Sequence, residues 1–114
     1  MAAKKFKLRA EQIQILTDCD GGCFATDHIT VDGRRVGYMY REEPEGDWDT
    51  GWRFFSGFES DDYVNNPDKV EIYQVNTIAN YDPDIIPFLK SPVNSAFGRD
   101  KKTGLFVEEK YALE

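Results

Sequence analysis

The sequence predicts a single α+β domain with an antiparallel sheet of four to five strands, an N-terminal helix and short helices after the last long strand. Three observations support this fold class: a chain of 114 residues, short stretches of alternating apolar and polar residues, and only a few stretches of helical periodicity. A chain of this length holds one core, and a 40% hydrophobic content is ample to fill it. We therefore take residues 1–114 as one domain and expect residues 1–9 and 108–114 to fray.

The first predicted element is a helix over residues 10–17, after a basic start. Ile13 and Leu16 fall near one helical face, and Glu11 lies in the first turn, where an acidic side chain suits the helix dipole. An alternating strand fits the same stretch, so both interpretations stay open. Two aspartates and two glycines within residues 18–22 end the element.

A β-hairpin is predicted next. Residues 23–31 are rich in β-branched and aromatic side chains, and residues 36–40 return as the second strand. Between them, Asp32-Gly33 is the dipeptide that a two-residue type I′ turn favours. His28 is the only histidine and is expected on the surface or on an edge strand of this hairpin.

The following strand, residues 51–57, is predicted to lie in the centre of the sheet. Alternation places Trp52 and Phe54 on one face and Arg53 and Phe55 on the other. Because both faces carry an aromatic ring, we expect the core to cover one face and a groove or a long loop to line the other.

The remaining predicted elements are short. The sequence alternates as a strand over residues 70–75 and then changes to a helical period. Prolines punctuate this part of the chain and confine its helices to one or two turns. The predicted elements are helices at residues 78–81 and 85–89, an ordered loop or short strand at 95–99 and a last strand at 105–107.

Acidic residues are concentrated on both sides of the central strand. Residues 42–62 hold eight acids against one base, Arg53, and the formal net charge of the chain is -7. This charge argues against a nucleic-acid-binding protein, which needs a basic surface, and suits a basic protein partner. If the two flanking segments lie side by side, they form one negative patch with aromatic residues at its centre.

We therefore predict a partner-binding surface with no reaction chemistry of its own. Trp48 either anchors the loop on the sheet or contacts the partner directly. Arg41 and Arg53 are expected to orient the acids. The predicted partner-binding residues are Glu42, Glu43, Trp48, Asp49, Glu59, Asp61 and Asp62.

The two cysteines, Cys19 and Cys23, could close a small disulfide loop or supply two metal ligands. A closed zinc site needs four ligands, however, and the chain has one histidine. We expect two free thiols, with Cys23 in a strand core and Cys19 near the surface, and no metal, cofactor or catalytic residue. No apolar run approaches the roughly 20 residues that span a membrane, so a cytoplasmic location without membrane contact is expected.

A second function is kept open. A small enzyme or small-molecule-binding domain would place a polar pocket near Asp82, Asp84 and Arg99. A deep concave site with converging carboxylates would favour this alternative, whereas a flat acidic face with a half-exposed Trp48 would favour a protein-binding module.

Several segments, taken in their order along the chain, resemble a known family. They are Val36-Gly-Tyr-Met-Tyr-Arg-Glu-Glu-Pro44, Gly51-Trp-Arg-Phe-Phe-Ser-Gly57, Tyr63 with Asn66-Pro67, the stretch 75–87 and Ser95-Ala-Phe97. Together they resemble the bacterial domain of unknown function 2185, also called immunity protein 33-like, over residues 22–100 approximately. The resemblance implies a protein that binds and blocks a toxin, and it implies no catalytic residues.

Overall fold

The sheet is mixed and has six strands in the part of the chain that the computed structural model describes, residues 4–110. The strands lie in the order β4-β1-β3-β2-β5-β6. β1 runs parallel to β3, and the other neighbouring pairs are antiparallel. The α+β class is confirmed, but the prediction of an antiparallel sheet of four to five strands is wrong in strand number and in this one parallel pair. The strands are β1 Gly22–Thr26, β2 Tyr38–Arg41, β3 Asp49–Phe55, β4 Val70–Gln74, β5 Ala96–Arg99 and β6 Phe106–Glu109.

The helices are short, as the prolines and glycines require. The helix predicted after β4 is confirmed, and the one expected at 85–89 is a 3₁₀ helix that begins at Pro83, where Asp82 accepts a hydrogen bond from the Asp84 amide at 3.1 Å. No helix within residues 4–110 is long and apolar enough to cross a membrane. The helices are α1 Asp27–Thr30, α2 Asp61–Val64 and α3 Val75–Tyr81, with 3₁₀ helices at Ala10–Gln12, Pro67–Lys69 and Pro83–Phe88.

The hairpin predicted over residues 23–40 is wrong. After β1 the chain turns into α1, which buries Ile29 completely in the core, so packing overrides the β-propensity of this stretch. Gly33 has a φ of 76° and donates its amide to the Ile29 carbonyl, so it ends the helix instead of turning a hairpin. As a result β1 pairs with β3 and β4, and β2 pairs with β3 and β5.

The helix predicted over residues 10–17 is also wrong, and the strand alternative is not observed. One 3₁₀ turn at Ala10–Gln12 is followed by an irregular segment that lies along α3. Asn76 and Asn80 of α3 accept hydrogen bonds from the backbone amides of Leu16 at 2.8 Å and Gln14 at 2.9 Å. These side-chain acceptors satisfy backbone donors that a helix would otherwise pair internally.

The chain ends include segments with specific contacts. Lys4 forms ion pairs with Asp27 at 2.8 Å and Glu71 at 2.6 Å, although residues 4–9 fall within a range predicted to fray. At the other end, β6 continues to Glu109. The outermost parts of the predicted frayed ends, residues 1–3 and 111–114, lie outside the described residues.

One face of the sheet carries the core and is covered by α1, α3 and the 3₁₀ helix Pro83–Phe88. Trp52 and Phe54 of β3 are completely buried there, and the Trp52 indole donates a hydrogen bond to the Leu89 carbonyl at 3.1 Å. Burying a large apolar side chain of this kind stabilises the fold by about 2–3 kcal/mol. β3 is therefore a central strand, as predicted, and Arg53 and Phe55, which alternate with Trp52 and Phe54, point to the opposite face.

Candidate partner-binding surface

The face of the sheet opposite the core carries aromatic side chains and one buried arginine. We call it the open face. The register pairs Arg53 with both Phe24 and Tyr40, and Phe55 with Tyr38, so these side chains lie together on it. The rings of Tyr40 and Phe55 stack with an interplanar angle of 9° at a centroid distance of 5.8 Å. The open face is formed by Phe24, Tyr38, Tyr40, Arg53 and Phe55.

Arg53 is 3% exposed and fastens both ends of the connection between β2 and β3. Its terminal nitrogens bind the Asp49 carboxylate at 2.9 and 2.8 Å, and its Nε binds the Glu42 carboxylate. Asp49 also accepts hydrogen bonds from the amides of Glu45 at 2.9 Å and Gly51 at 2.8 Å. The Arg53 guanidinium, with these amides, lowers the pKa of Asp49 to about 2.

The acidic loop, which we define as residues 42–48, projects from this network. Glu43, Glu45 and Asp47 are exposed. Trp48 is 42% exposed, and its ring packs edge-on against Phe24 at a centroid distance of 6.0 Å. One side of the indole thus anchors the loop, as one of the two alternatives expected, and the rest of the ring is accessible, whereas its contact with a partner stays a prediction.

Two of the predicted contact residues lie inside the fold. The expectation of an outward-facing side chain is wrong for Asp49, which is held by Arg53, and for Glu59, whose side chain is 3% exposed. Glu59 accepts hydrogen bonds from the Thr26 hydroxyl at 2.6 Å and the Ser56 amide at 2.8 Å. These hydrogen bonds outweigh the effect of burial and hold the pKa of Glu59 below its usual range. Both carboxylates satisfy donors at the ends of β3.

The expected role of the two arginines holds for one of them. Arg53 orients Asp49 and Glu42, as described above. Arg41 instead donates hydrogen bonds to the carbonyl oxygens of Thr50 at 2.8 Å and Ser91 at 2.7 Å, so the prediction that it orients acidic residues is wrong. Its guanidinium therefore binds backbone carbonyl groups and not carboxylates.

The acids do not form a single negative patch. The acidic loop precedes β3, whereas Asp61 and Asp62 follow it, in the first turn of α2. Seven residues in extended conformation separate the two segments by roughly 20 Å, at about 3.3 Å per residue. Exposed carboxylates therefore lie at both ends of the open face, and the prediction that they meet is wrong.

A groove of ≈ 1060 Å³ lies on the open face. Tyr38, Tyr40 and Phe55 line it from the sheet, and Phe58 and Val64 line it from the segment around α2. The sequence predicted a groove or a long loop along the face of β3 that carries Arg53 and Phe55, and the structure has the groove. Its residues were missed as a site, although Tyr38 and Tyr40 alternate in the strand with the same period as Phe55, which is a signal that the sequence contains.

His28 lies in α1 and not in a hairpin, so its predicted position is wrong. Its Nδ1 is 2.7 Å from the Ser56 hydroxyl and 3.5 Å from the Glu59 carboxylate, and its ring contacts that of Tyr63 at a centroid distance of 4.3 Å with a tilt of 47°. A hydrolytic triad needs the two ring nitrogens to face different partners. Here the serine and the glutamate face the same nitrogen, so this arrangement is not a triad.

The alternative site residues Asp82, Asp84 and Arg99 do come together, but as a closed network. Arg99 binds Asp82 at 2.6 Å and Asp84 at 3.2 Å, and it also donates to the carbonyls of Val36 at 2.7 Å and Gly104 at 2.6 Å. Asp82 accepts a further hydrogen bond from the Val36 amide at 2.9 Å. These groups are bound to one another and to the backbone, and of the three only Arg99 lines the groove, so no carboxylates of this network converge on it.

The thiols are free, and Cys23 is completely buried in β1, as predicted. Cys19 is partly exposed. Burial raises the pKa of both thiols, which keeps them protonated at neutral pH. Within residues 4–110, no group of three or more histidine, cysteine, aspartate or glutamate side chains is placed to hold a metal ion.

Comparison with known proteins gives one family. A family model described as the Immunity protein Imm33 domain matches residues 23–110, which include the acidic loop, the open face and the groove. No curated protein and no solved structure matches the chain. The match supports the resemblance to immunity protein 33, whereas the numbered domain of unknown function is not part of it. Since the match covers most of its length, this chain belongs to the Imm33 immunity protein domain family.

Proposed function

We propose that this protein neutralises a basic toxin by binding it through the acidic loop and the open face, without chemistry of its own. Membership in an immunity protein family supports a toxin-neutralising, protein-binding role. The observation that carries the choice of surface is the buried Arg53 network. Through Asp49 it ties the Glu45 backbone of the loop to the Gly51 backbone of β3 and so presents the indole of Trp48 in a fixed position.

Rigid presentation favours affinity, because little conformational entropy remains to be lost on binding. Tryptophan is enriched among the residues that dominate protein interfaces, particularly where it is surrounded by polar groups. Trp48 has this setting, since Glu45 and Asp47 are exposed neighbours in the same loop. We place the centre of the toxin contact at Trp48.

The charge distribution supports a basic partner. Glu43, Glu45 and Asp47 are exposed at one end of the open face, and Asp61 and Asp62 are exposed at the other. A typical interface covers about 800 Å² on each partner and so reaches across the roughly 20 Å between them. The net charge of -7 would accelerate encounter with a basic toxin and would repel nucleic acid. The proposed place of action is the cytoplasm.

The test uses the toxin encoded by the neighbouring open reading frame. We expect coexpression of this protein to restore growth of cells that produce that toxin, and the purified pair to form a complex measurable by calorimetry. The triple variant Glu43→Gln, Glu45→Gln and Asp47→Asn should weaken binding about tenfold or more and reduce its salt dependence. Its thermal unfolding should be unchanged, because these side chains are exposed.

The matched control removes the same charge elsewhere, in Glu11→Gln, Asp68→Asn and Glu108→Gln, three exposed positions outside the acidic loop. It should bind the toxin within about twofold of the wild type. Equal loss in both triple variants would reduce the effect to net charge and reject the acidic loop as the contact. Absence of any complex with the wild-type protein would reject the proposed function itself.

A further inference from the structure

We propose that the groove in the open face binds one lysine or arginine side chain of the toxin, with the Glu109 carboxylate as its counter-ion and the ring of Phe55 as its stacking surface. This inference rests on the proposed function, because the cationic side chain belongs to the toxin. It adds a second contact to the one at Trp48, on β5 and β6 at the other side of β2.

The Glu109 carboxylate is placed in the groove by a glycine. β6 lies beside β5, and a Cβ atom added at Gly98 would overlap the carboxylate oxygens of Glu109. Gly98 is itself directly opposite Tyr38 in the register of β5 and β2. The carboxylate therefore lies over β5, on the open face, a position open to it only because residue 98 has no side chain.

This carboxylate is uncompensated within the described chain. Between residues 4 and 110, the side chain of Glu109 has no hydrogen-bond or ion-pair partner, and it is exposed. In contrast, Glu59, which also lines the groove, is occupied by Thr26 and Ser56. Of these two carboxylates, Glu109 is the one left to pair with an incoming cation.

The aromatic rings supply the second half of a cation site. Tyr38 and Phe55 lie with centroids 6.4 Å apart, and Tyr40 stacks on the same Phe55 ring. A ring face attracts a cation within about 6 Å, most strongly where water is partly excluded. The rim of the groove already shows such a contact, since the Arg34 guanidinium lies 5.7 Å from the centroid of the Phe58 ring.

The charges lining the groove favour a cation over an anion. Three carboxylates, from Glu59, Asp100 and Glu109, and two bases, from Arg99 and Lys101, line the groove, and Arg34 adds a third base at its rim. The Arg99 guanidinium is already bound by two carboxylates. A cation entering beside Glu109 therefore meets a negative local field within an acidic protein.

The size of the groove points to a peptide segment as the bearer of the cation. Its volume of ≈ 1060 Å³ exceeds that of one side chain, and Phe58 and Val64 are 76% and 39% exposed along it. These apolar groups would contact the residues flanking the lysine or arginine. An extended or looped stretch of the toxin fits this combination of an apolar rim and a single carboxylate.

The first experiment uses a short peptide as the probe. We titrate ¹⁵N-labelled protein with acetyl-Leu-Arg-Leu-amide and with the same peptide carrying citrulline, which has nearly the same shape and no charge. The arginine peptide should bind about threefold or more tightly than the citrulline peptide. Its amide shift changes should centre on Gly98, Glu109 and Tyr38. Equal affinity for the two peptides, or shifts confined to the acidic loop, would overturn the inference.

Two variants test the role of the carboxylate. Glu109→Gln removes its charge, and Gly98→Ala keeps the charge but displaces the carboxylate, so both should abolish the preference for arginine over citrulline. The control Glu108→Gln removes a charge from the neighbouring position, which points to the other side of the sheet, and should keep the preference. Thermal unfolding checks that each variant is folded. If Gly98→Ala does not fold, the peptide preference of Glu109→Gln alone tests the inference. Equal effects of Glu109→Gln and Glu108→Gln would overturn the inference.

Binding of the whole toxin separates this inference from the proposed function. Glu109→Gln should weaken the complex about threefold or more, while the intact acidic loop retains a measurable affinity. Toxin affinity unchanged by Glu109→Gln would overturn the inference and leave the proposed function standing. If the wild-type protein does not bind the toxin although it still prefers the arginine peptide, the proposed function fails, and with it the toxin as the occupant of the groove.

Discussion

Two arginines on opposite faces of the sheet, the buried Arg53 and the largely buried Arg99, form networks of the same kind. Arg53 on the open face and Arg99 on the covered face each bind two carboxylates. Each guanidinium also lies over a phenylalanine ring, at 4.5 Å from the centroid of Phe24 and 4.3 Å from that of Phe106. Judged only by the residue types that they contain, the two networks would be assigned the same role.

The networks differ in what they hold. Arg99 donates to the carbonyls of Val36 and Gly104 and so joins β5 to the segments beside it. Arg53 and Asp49 hold the backbone of a loop whose remaining side chains are exposed. The same ion-pair chemistry closes the fold in one place and presents a surface in the other. The role of such a network follows from what its partners support.

The largest expected effect separates the two arginines. Arg53→Met should lower the free energy of unfolding by about 3–5 kcal/mol, because it leaves the buried Asp49 carboxylate without its cation. Arg99→Met should lower it by about 1–3 kcal/mol, because Asp82 keeps the amide donors of Val36 and Asp84. Urea unfolding at pH 7 measures both values.

The exposed Arg9 supplies the control for these two variants. Arg9→Met should change the free energy of unfolding by less than about 0.5 kcal/mol, because the residue lies on the surface. A larger loss for Arg99→Met than for Arg53→Met would mean that the covered face, and not the loop network, holds the more tightly coupled charges.

The second expected effect is acid sensitivity from Asp49. Its pKa is about 2 in the folded protein and about 4 in the unfolded chain. A depressed folded pKa stabilises the protein above the unfolded value, and this contribution is lost as the pH falls through the folded value. About 2 kcal/mol should thus be present at pH 6, with about half of it lost by pH 3.

Urea unfolding between pH 6 and pH 3 measures this slope, with Asp49→Asn as the comparison. The variant is less stable at pH 6, and its stability should fall less steeply with acid, because it lacks the depressed carboxylate. Glu59, whose pKa is also lowered, retains its own contribution of the same sign in both proteins. Parallel slopes for wild type and variant would contradict the assignment.

Local geometry explains which parts of the fold the sequence predicts. The two faces of β3 follow from strand alternation, which depends only on neighbouring residues, and Trp52 and Arg53 lie as predicted. The parallel pairing of β1 with β3 and the helix at α1 depend on distant partners. Ile29 enters the core and Lys4 binds Asp27, and neither contact is visible in a local pattern.

The candidate site shows the same difference between what neighbouring residues predict and what depends on distant partners. A cluster of acids looks the same in sequence whether its members are solvated or paired, so Asp49 and Glu59 were assigned to the surface with Glu43. One signal was available for Asp49, because an even spacing in a strand puts it on the same face as Arg53 four residues later. For Glu59 there was none, since its donors come from the end of β1 and from the turn after β3.

The smallest expected effect concerns the exposed carboxylate in each network. The Glu42 side chain is 38% exposed and that of Asp84 is 59% exposed, and ion pairs in such positions contribute about 0–1 kcal/mol. Glu42→Gln should therefore lower the free energy of unfolding by about 0.5 kcal/mol, and Asp84→Asn should lower it by less. The control is Asp62→Asn, because Asp62 is exposed and has no ion pair among the described residues. Urea unfolding in 0.05 and 0.5 M salt measures the differences, which should shrink at high salt because exposed pairs are screened. A loss above about 2 kcal/mol for Asp84→Asn would show that Arg99 depends on both its carboxylates, and the two networks would then differ in more than what they support.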